Sequence, residues 1–210
     1  MTISTFLPRL SACLLLATAC LSHADAPPRP SVRPFVHAGL SFGGDTLATA
    51  KFDNDNKTDI KAGQLAQIGA GLIWQPPGSQ LAVAATANYQ IDGTTARHGK
   101  AQFTRIPYEL IAYFTGIERL RIGIGARRVH SAEVVYHTED GDDRMNFKHT
   151  TGRIVEVGYL IGHNIWINMR GVDESYELET YRNAMGNFVI NANGKKYDAE
   201  QIGVNVSYEF

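Results

Sequence analysis

Cysteine is almost missing from this chain. Its two cysteines, Cys13 and Cys20, fall at the extreme N-terminus, so beyond residue 20 neither disulfides nor thiol chemistry can contribute. No run of about eighteen apolar residues follows them, which excludes a transmembrane helix. An excess of charge of either sign is missing too. The formal net charge is −1, leaving no broad basic surface for nucleic acid. There is also no convincing helical period; after residue 34 apolar positions recur every second residue.

What is present begins with a secretion pattern. Arg9 precedes an apolar run from Leu10 to Leu21, and small residues follow at Ser22 and Ala24. This predicts a signal peptide over 1–24, too short to span a bilayer as a helix. "ATAC" at Cys20 is a rival lipid-attachment box, but it lacks a large aliphatic residue three positions before the cysteine. "LSAC" at Cys13 fits that box better but has no apolar run before it. Residues 25–34 carry four prolines and predict an extended lead-in on the periplasmic side. Residues 35–210 then form one domain.

Eight amphipathic strands are expected, starting in "FVHAGLSFGG", "AGQLAQIGAGLIW", "LAVAATANYQI", "FTRIPYELIAYF", "RLRIGIGA", "RIVEVGYLI", "IWINMRG" and "QIGVNVSYEF". The fifth should continue to about Tyr136. Tight connections at 76–79, 115–118 and 162–164 alternate with longer polar ones at 53–59, 92–100, 139–144 and 182–196. Short turns on one side and long loops on the other is the layout of an outer-membrane barrel. The fold class is therefore all-β, an eight-stranded antiparallel up-and-down transmembrane barrel. The even strand count puts both termini on the short-turn side. Trp74, Phe114, Tyr159, Trp166, Tyr208 and Phe210 cluster at the tight-turn ends and read as an interfacial girdle. The opposite girdle is thinner, with Tyr89, Tyr136 and Phe103.

If lipid takes the apolar face, the lumen receives Arg105, Glu109, Arg121, Arg127, Glu156 and Arg170. Thr86, Asn88, Gln90 and Asn168 join them, and small glycines leave the arginines room. An eight-stranded barrel is just wide enough for side chains to fill it. Each arginine on the lipid face would instead cost roughly 2–4 kcal/mol at the midplane. Alternation sends Arg128 outward near the outer headgroups, where it could meet lipid phosphates; a bulge could equally turn it aside. A soluble lipocalin-like barrel would need apolar residues inside, which the lumen arginines oppose.

The ending "VNVSYEF", with Val204, Val206, Tyr208 and Phe210 alternating, resembles the C-terminal assembly signal of bacterial outer-membrane barrels. The layout over 35–210 looks like the OmpA/OmpX class of small barrels from Gram-negative bacteria. "GGDTLA" at 43–48 and "DIKAG" at 59–63 look like motifs shared by a group of such barrels, a likeness that carries no activity. The resemblance implies an outer-membrane location. Outer-membrane lipid, lipopolysaccharide and the membrane's assembly machinery would be partners, and the chain would be a monomer.

Candidate chemistry is thin. "RRVHSAE" brings His130, Ser131 and Glu133 together, and small barrels that deacylate lipopolysaccharide use a lipid-facing Ser–His–acid set. Adjacent strand residues point to opposite faces, however, so His130 and Ser131 should diverge. His130, His137 and His149 lack the short fixed spacings of strong zinc sites. "DNDNKTD" at 53–59 has calcium-loop oxygens without the glycine and distant glutamate that complete such a loop. The acidic "EDGDD" at 139–143 reads as a solvated turn or as a binder of divalent cations. No metal and no cofactor is expected. A non-catalytic structural or surface-interaction barrel is the leading expectation. A lipid A-modifying enzyme and a narrow solute channel are the alternatives.

Overall fold

The computed structural model describes residues 31–51, 57–96, 99–138, 141–182, 188–190 and 196–210. The expected signal peptide, both cysteines and most of the proline-rich lead-in lie outside these residues, as do 53–56 of the calcium-like loop and 139–140 of the acidic turn. The strands are β1 (Val32–Gly43), β2 (Thr46–Lys51), β3 (Lys57–Lys61), β4 (Leu65–Trp74), β5 (Leu81–Ala96), β6 (Gly99–Ile117) and β7 (Leu120–Thr138). They continue with β8 (Gly141–Phe147), β9 (Thr150–Ile161), β10 (Ile165–Asp173), β11 (Ser175–Arg182), β12 (Phe188–Ile190), β13 (Lys196–Asp198) and β14 (Gln201–Glu209).

Eight of them close a ring in the order β1, β4, β5, β6, β7, β9, β10, β14. Pairing of β14 with β1, from Val36↔Tyr208 to Gly43↔Gln201, completes it. Every pairing is antiparallel. β10 and β14 have nine residues each, close to the about 9–11 that a tilted strand needs to cross a bilayer. β6 and β7 have nineteen and run well past it. β2, β3, β8 and β11 carry neighbouring strands beyond the same level.

Three expectations are corrected here. Strand β1 starts at Val32, inside the expected lead-in; Pro34 is accommodated opposite Leu72, and its carbonyl accepts from the Phe210 N–H. In the long loops expected at 92–100, 139–144 and 182–196 the described residues are strand, because polar residues above a membrane pair without an apolar face to announce them. The turn expected at 115–118 sits at Glu118–Arg119, where Ile117 pairs with Leu120.

The faces divide as alternation requires. Ile68, Leu72, Leu110, Ile124, Met169 and Ile202 are among the outward apolar side chains. The four alternating residues of the C-terminus are exposed on the same wall. Trp74, Phe114, Tyr159, Tyr208 and Phe210 stand in the expected girdle, with Tyr208 and Phe210 edge to face at 5.0 Å. Trp166 does not: it points inward and is 8% exposed, because Ile165 and Ile167 claim the outer wall. Phe103 and Tyr136 leave the upper girdle as well and pack in a core above the membrane. Tyr89 and Tyr108 remain on the outer surface.

That upper core contains Leu65, Phe103, Val129, Val134, Phe147 and Tyr176. It is reached through one irregularity. Pro107 cannot donate to the ladder, and the register slips there: Arg105 pairs with Ala132, but Pro107 pairs with Val129. His130 and Ser131 together oppose Ile106. The inward set on β7 is therefore Arg127 and Val129 below the bulge and Ala132 and Val134 above it.

Candidate functional site

The six charged residues expected in the lumen are all buried there. Arg170 donates two hydrogen bonds to Glu156 Oε2, at 2.6 and 2.9 Å, and reaches Glu109 at 3.2 Å. Tyr113 donates its hydroxyl to the other Glu156 oxygen at 2.7 Å. Arg121 donates to Glu209 at 2.8 Å and to Asn168 at 2.8 Å. Its guanidinium lies 4.8 Å from the Tyr113 ring centroid and 4.3 Å from that of Trp166.

Higher in the lumen, Arg105 donates to Glu174 at 2.6 Å, to the Tyr176 hydroxyl at 2.6 Å and to Gln201 at 2.9 Å. Arg127 donates to Gln90 at 2.8 Å and sits 3.3 Å from Glu174 Oε2. These are charge-assisted contacts, stronger than neutral ones. Three members were not singled out from the sequence: Arg33, Glu174 and Glu209. Parity could have found them, since Glu174 continues the inward series Arg170, Val172, and Glu209 lies between two girdle aromatics.

Glycines make this possible. A Cβ on Gly69 would stand 2.0 Å from Asn88 Oδ1, and one on Gly158 would stand 2.4 Å from Asn168 Oδ1. The cavity left among Phe35, His37, Arg121, Glu156 and Arg170 is about 10 Å³, room for about one water. Such an interior can hold ions in place.

The candidate chemistry does not assemble. The bulge corrects one expectation: His130 and Ser131 do not diverge but both lie on the outer surface. Even so, no hydrogen bond joins them to each other or to Glu133 among the described residues. Glu133 has Arg144 3.8 Å away, and the His130 ring stacks on His149 with centroids 4.5 Å apart. His137 is bonded to Asp142 at 2.7 Å, so the three histidines do not converge. No metal-ligand group of three occurs among the described residues. In the acidic turn, Asp142 is held below the usual carboxylate range by its hydrogen bond with His137, and Asp143 accepts from the Tyr181 hydroxyl at 3.0 Å. Arg128 is settled: it points outward, just below the bulge.

A closed eight-stranded sheet with an apolar outer wall and an ionised interior is an outer-membrane β-barrel, and this chain is one. Comparison with protein-family models found no match, and comparison with curated proteins found none. Among solved structures the chain is similar to Neisserial surface protein A, at 12% identity and a TM-score of 0.49, covering 86% of this chain and 98% of that one. It is similar to a major outer membrane protein from Thermus thermophilus, at 10% identity and a TM-score of 0.49, covering 86% and 100%. The outer membrane protease OmpT from Escherichia coli is more distant, at 10% identity and a TM-score of 0.39, covering 85% and 96%.

Proposed function

We propose that this barrel is non-catalytic and serves a structural or surface-interaction role, presenting its strand extensions outside the cell. Both termini would face the periplasm, and the chain would be a monomer. The C-terminal residues Val204, Val206, Tyr208 and Phe210 would be read by the assembly machinery. The observation that carries the reading is the filled lumen, with five arginines and four glutamates buried in it and a remaining cavity of about 10 Å³. The test is conductance in planar bilayers. The wild-type chain, Arg121→Ala and Glu156→Ala should all be silent. A current that either substitution enlarges would make the protein a narrow channel instead.

A second reading survives on one observation, the placement of His130 and Ser131 together on the outer surface at the rim. It would make the barrel a lipid A-modifying enzyme. Mass spectrometry of lipid A from cells with and without the gene decides it, and an unchanged acylation pattern is expected.

A further inference from the structure

Five arginines in the lumen each meet a carboxylate or amide partner. Arg128 and Arg153 do not. Both are exposed on the outer wall, and neither makes an ion pair or hydrogen bond among the described residues. They are also neighbours. Arg128 pairs across the sheet with Thr151, and Arg153 with Ala126, so the two side chains stand on one diagonal, about 7–8 Å apart at the backbone. The stacked imidazoles of His130 and His149 lie directly above.

Just below, the wall has a gap. The outward row across four strands reads Ile202, Gly171, Val155, Ile124. Three of these are large and exposed, but a Cβ on Gly171 would have nothing within 4 Å. The result is an open notch of about 570 Å³, with Phe42, Val155 and Ile202 as apolar walls and Arg153 at its mouth. Asp173 and Glu200 line it as well, Asp173 directly opposite Arg153 in the β9–β10 ladder and Glu200 just before β14. Arg128 stands one strand further on, on β7, away from both carboxylates.

The notch lies in the apolar band and the arginines lie at its upper edge. A ligand fitting both has a fatty chain and, at its end, an anion that two guanidinium forks can share. Arginine matches phosphate in this way. We propose that this wall holds one lipid A moiety of outer-leaflet lipopolysaccharide, its phosphate between Arg128 and Arg153 and an acyl chain in the notch at Gly171. The outer leaflet follows from the orientation proposed above, on which this inference rests. Asp173 flanks Arg153 on its β10 side, so the phosphate is directed to the β7 side, between Arg153 and Arg128.

The test is binding of fluorescent lipid A to the purified barrel in detergent, followed by anisotropy. Arg128→Gln with Arg153→Gln should weaken binding about tenfold or more, the equivalent of one lost charge-assisted contact. Gly171→Leu should weaken it without touching a charge. Dephosphorylated lipid A should bind the wild type as weakly as phosphorylated lipid A binds the double variant. Each variant should keep the heat-modifiable gel mobility of the folded barrel. Unchanged affinity in both variants overturns the site and leaves the non-catalytic reading standing. Inorganic phosphate that competes at equal concentration also overturns it, since the notch would then be idle. Lipid recovered from the complex with a chain missing would leave the site intact and break the non-catalytic reading.

Discussion

β6 and β7 pass through two different proteins in one. In the membrane band their inward residues are Arg105, Glu109, Arg121 and Arg127, and their outward ones are Tyr108, Leu110, Ile122 and Ile124. Above it, their inward residues are Phe103, Val129 and Val134, packed edge to face on Phe147 and Tyr176 through Phe103. There the outer side carries polar contacts such as Lys148 with Glu177. The same two strands are inside-out below and conventional above, because lipid surrounds one part and water the other. Arg105 sits at the join. Its head is in the lumen network, and its guanidinium lies 5.7 and 5.6 Å from the ring centroids of Phe103 and Tyr176. The bulge opposite Ile106 lets β7 change which residues face in without unpairing.

Breaking the join should do the most damage. Arg105→Ala removes the closer of the two cations on Glu174 in a dry interior, leaving Arg127 at 3.3 Å, and should destabilise the barrel by roughly 3–5 kcal/mol, read by urea unfolding in detergent. Replacing Glu156 and Arg170 together by methionine should cost far less than either alone. Phe147→Ala attacks the upper core and should cost about 3 kcal/mol. Its effect should be local: hydrogen exchange should speed up in β8 and β11 while β10 and β14 stay protected. Ile124→Arg tests the lipid wall and should cost roughly 2–4 kcal/mol. Asn146→Arg, on the watery outer side, should stay within about 0.5 kcal/mol of wild type. If the two arginine substitutions cost the same, the division between band and cap is wrong.

A further effect is in pH. Burial first, then Tyr197 and Asp143, push the Tyr136 hydroxyl up to about 12. The folded form therefore holds that proton more tightly than the unfolded chain. Its contribution is complete below about pH 10 and is lost as pH rises toward 12. An alkaline ultraviolet titration should lose one late-titrating tyrosine in Tyr136→Phe, while the band keeps its circular dichroism.

Much of the wall was legible because alternation is local. Ile202 through Phe210 or Leu120 through Ala126 can be read residue by residue. The cap was less so. Thr94–Ala96 and Gly141–Arg144 look like loop because their pairing partners, not their own pattern, make them strand. Pro107 was a visible warning of a bulge, and without it His130 and Ser131 come out on opposite faces. Trp166 was misplaced because its chemistry suggested a membrane interface, while its parity put it inside against Arg121.

By itself the sequence determined the period of two, the apolar wall, the ionised interior and the absence of any helix-spanning run. Those are properties of neighbours along the chain. Only the tertiary structure decided that Arg105 meets Glu174, 69 positions away, and that Arg121 meets Glu209, 88 away. Which charges face one another across a barrel depends on how its strands stagger when the ring closes. That stagger is written in cross-strand pairing and in one proline, not in any local alternation.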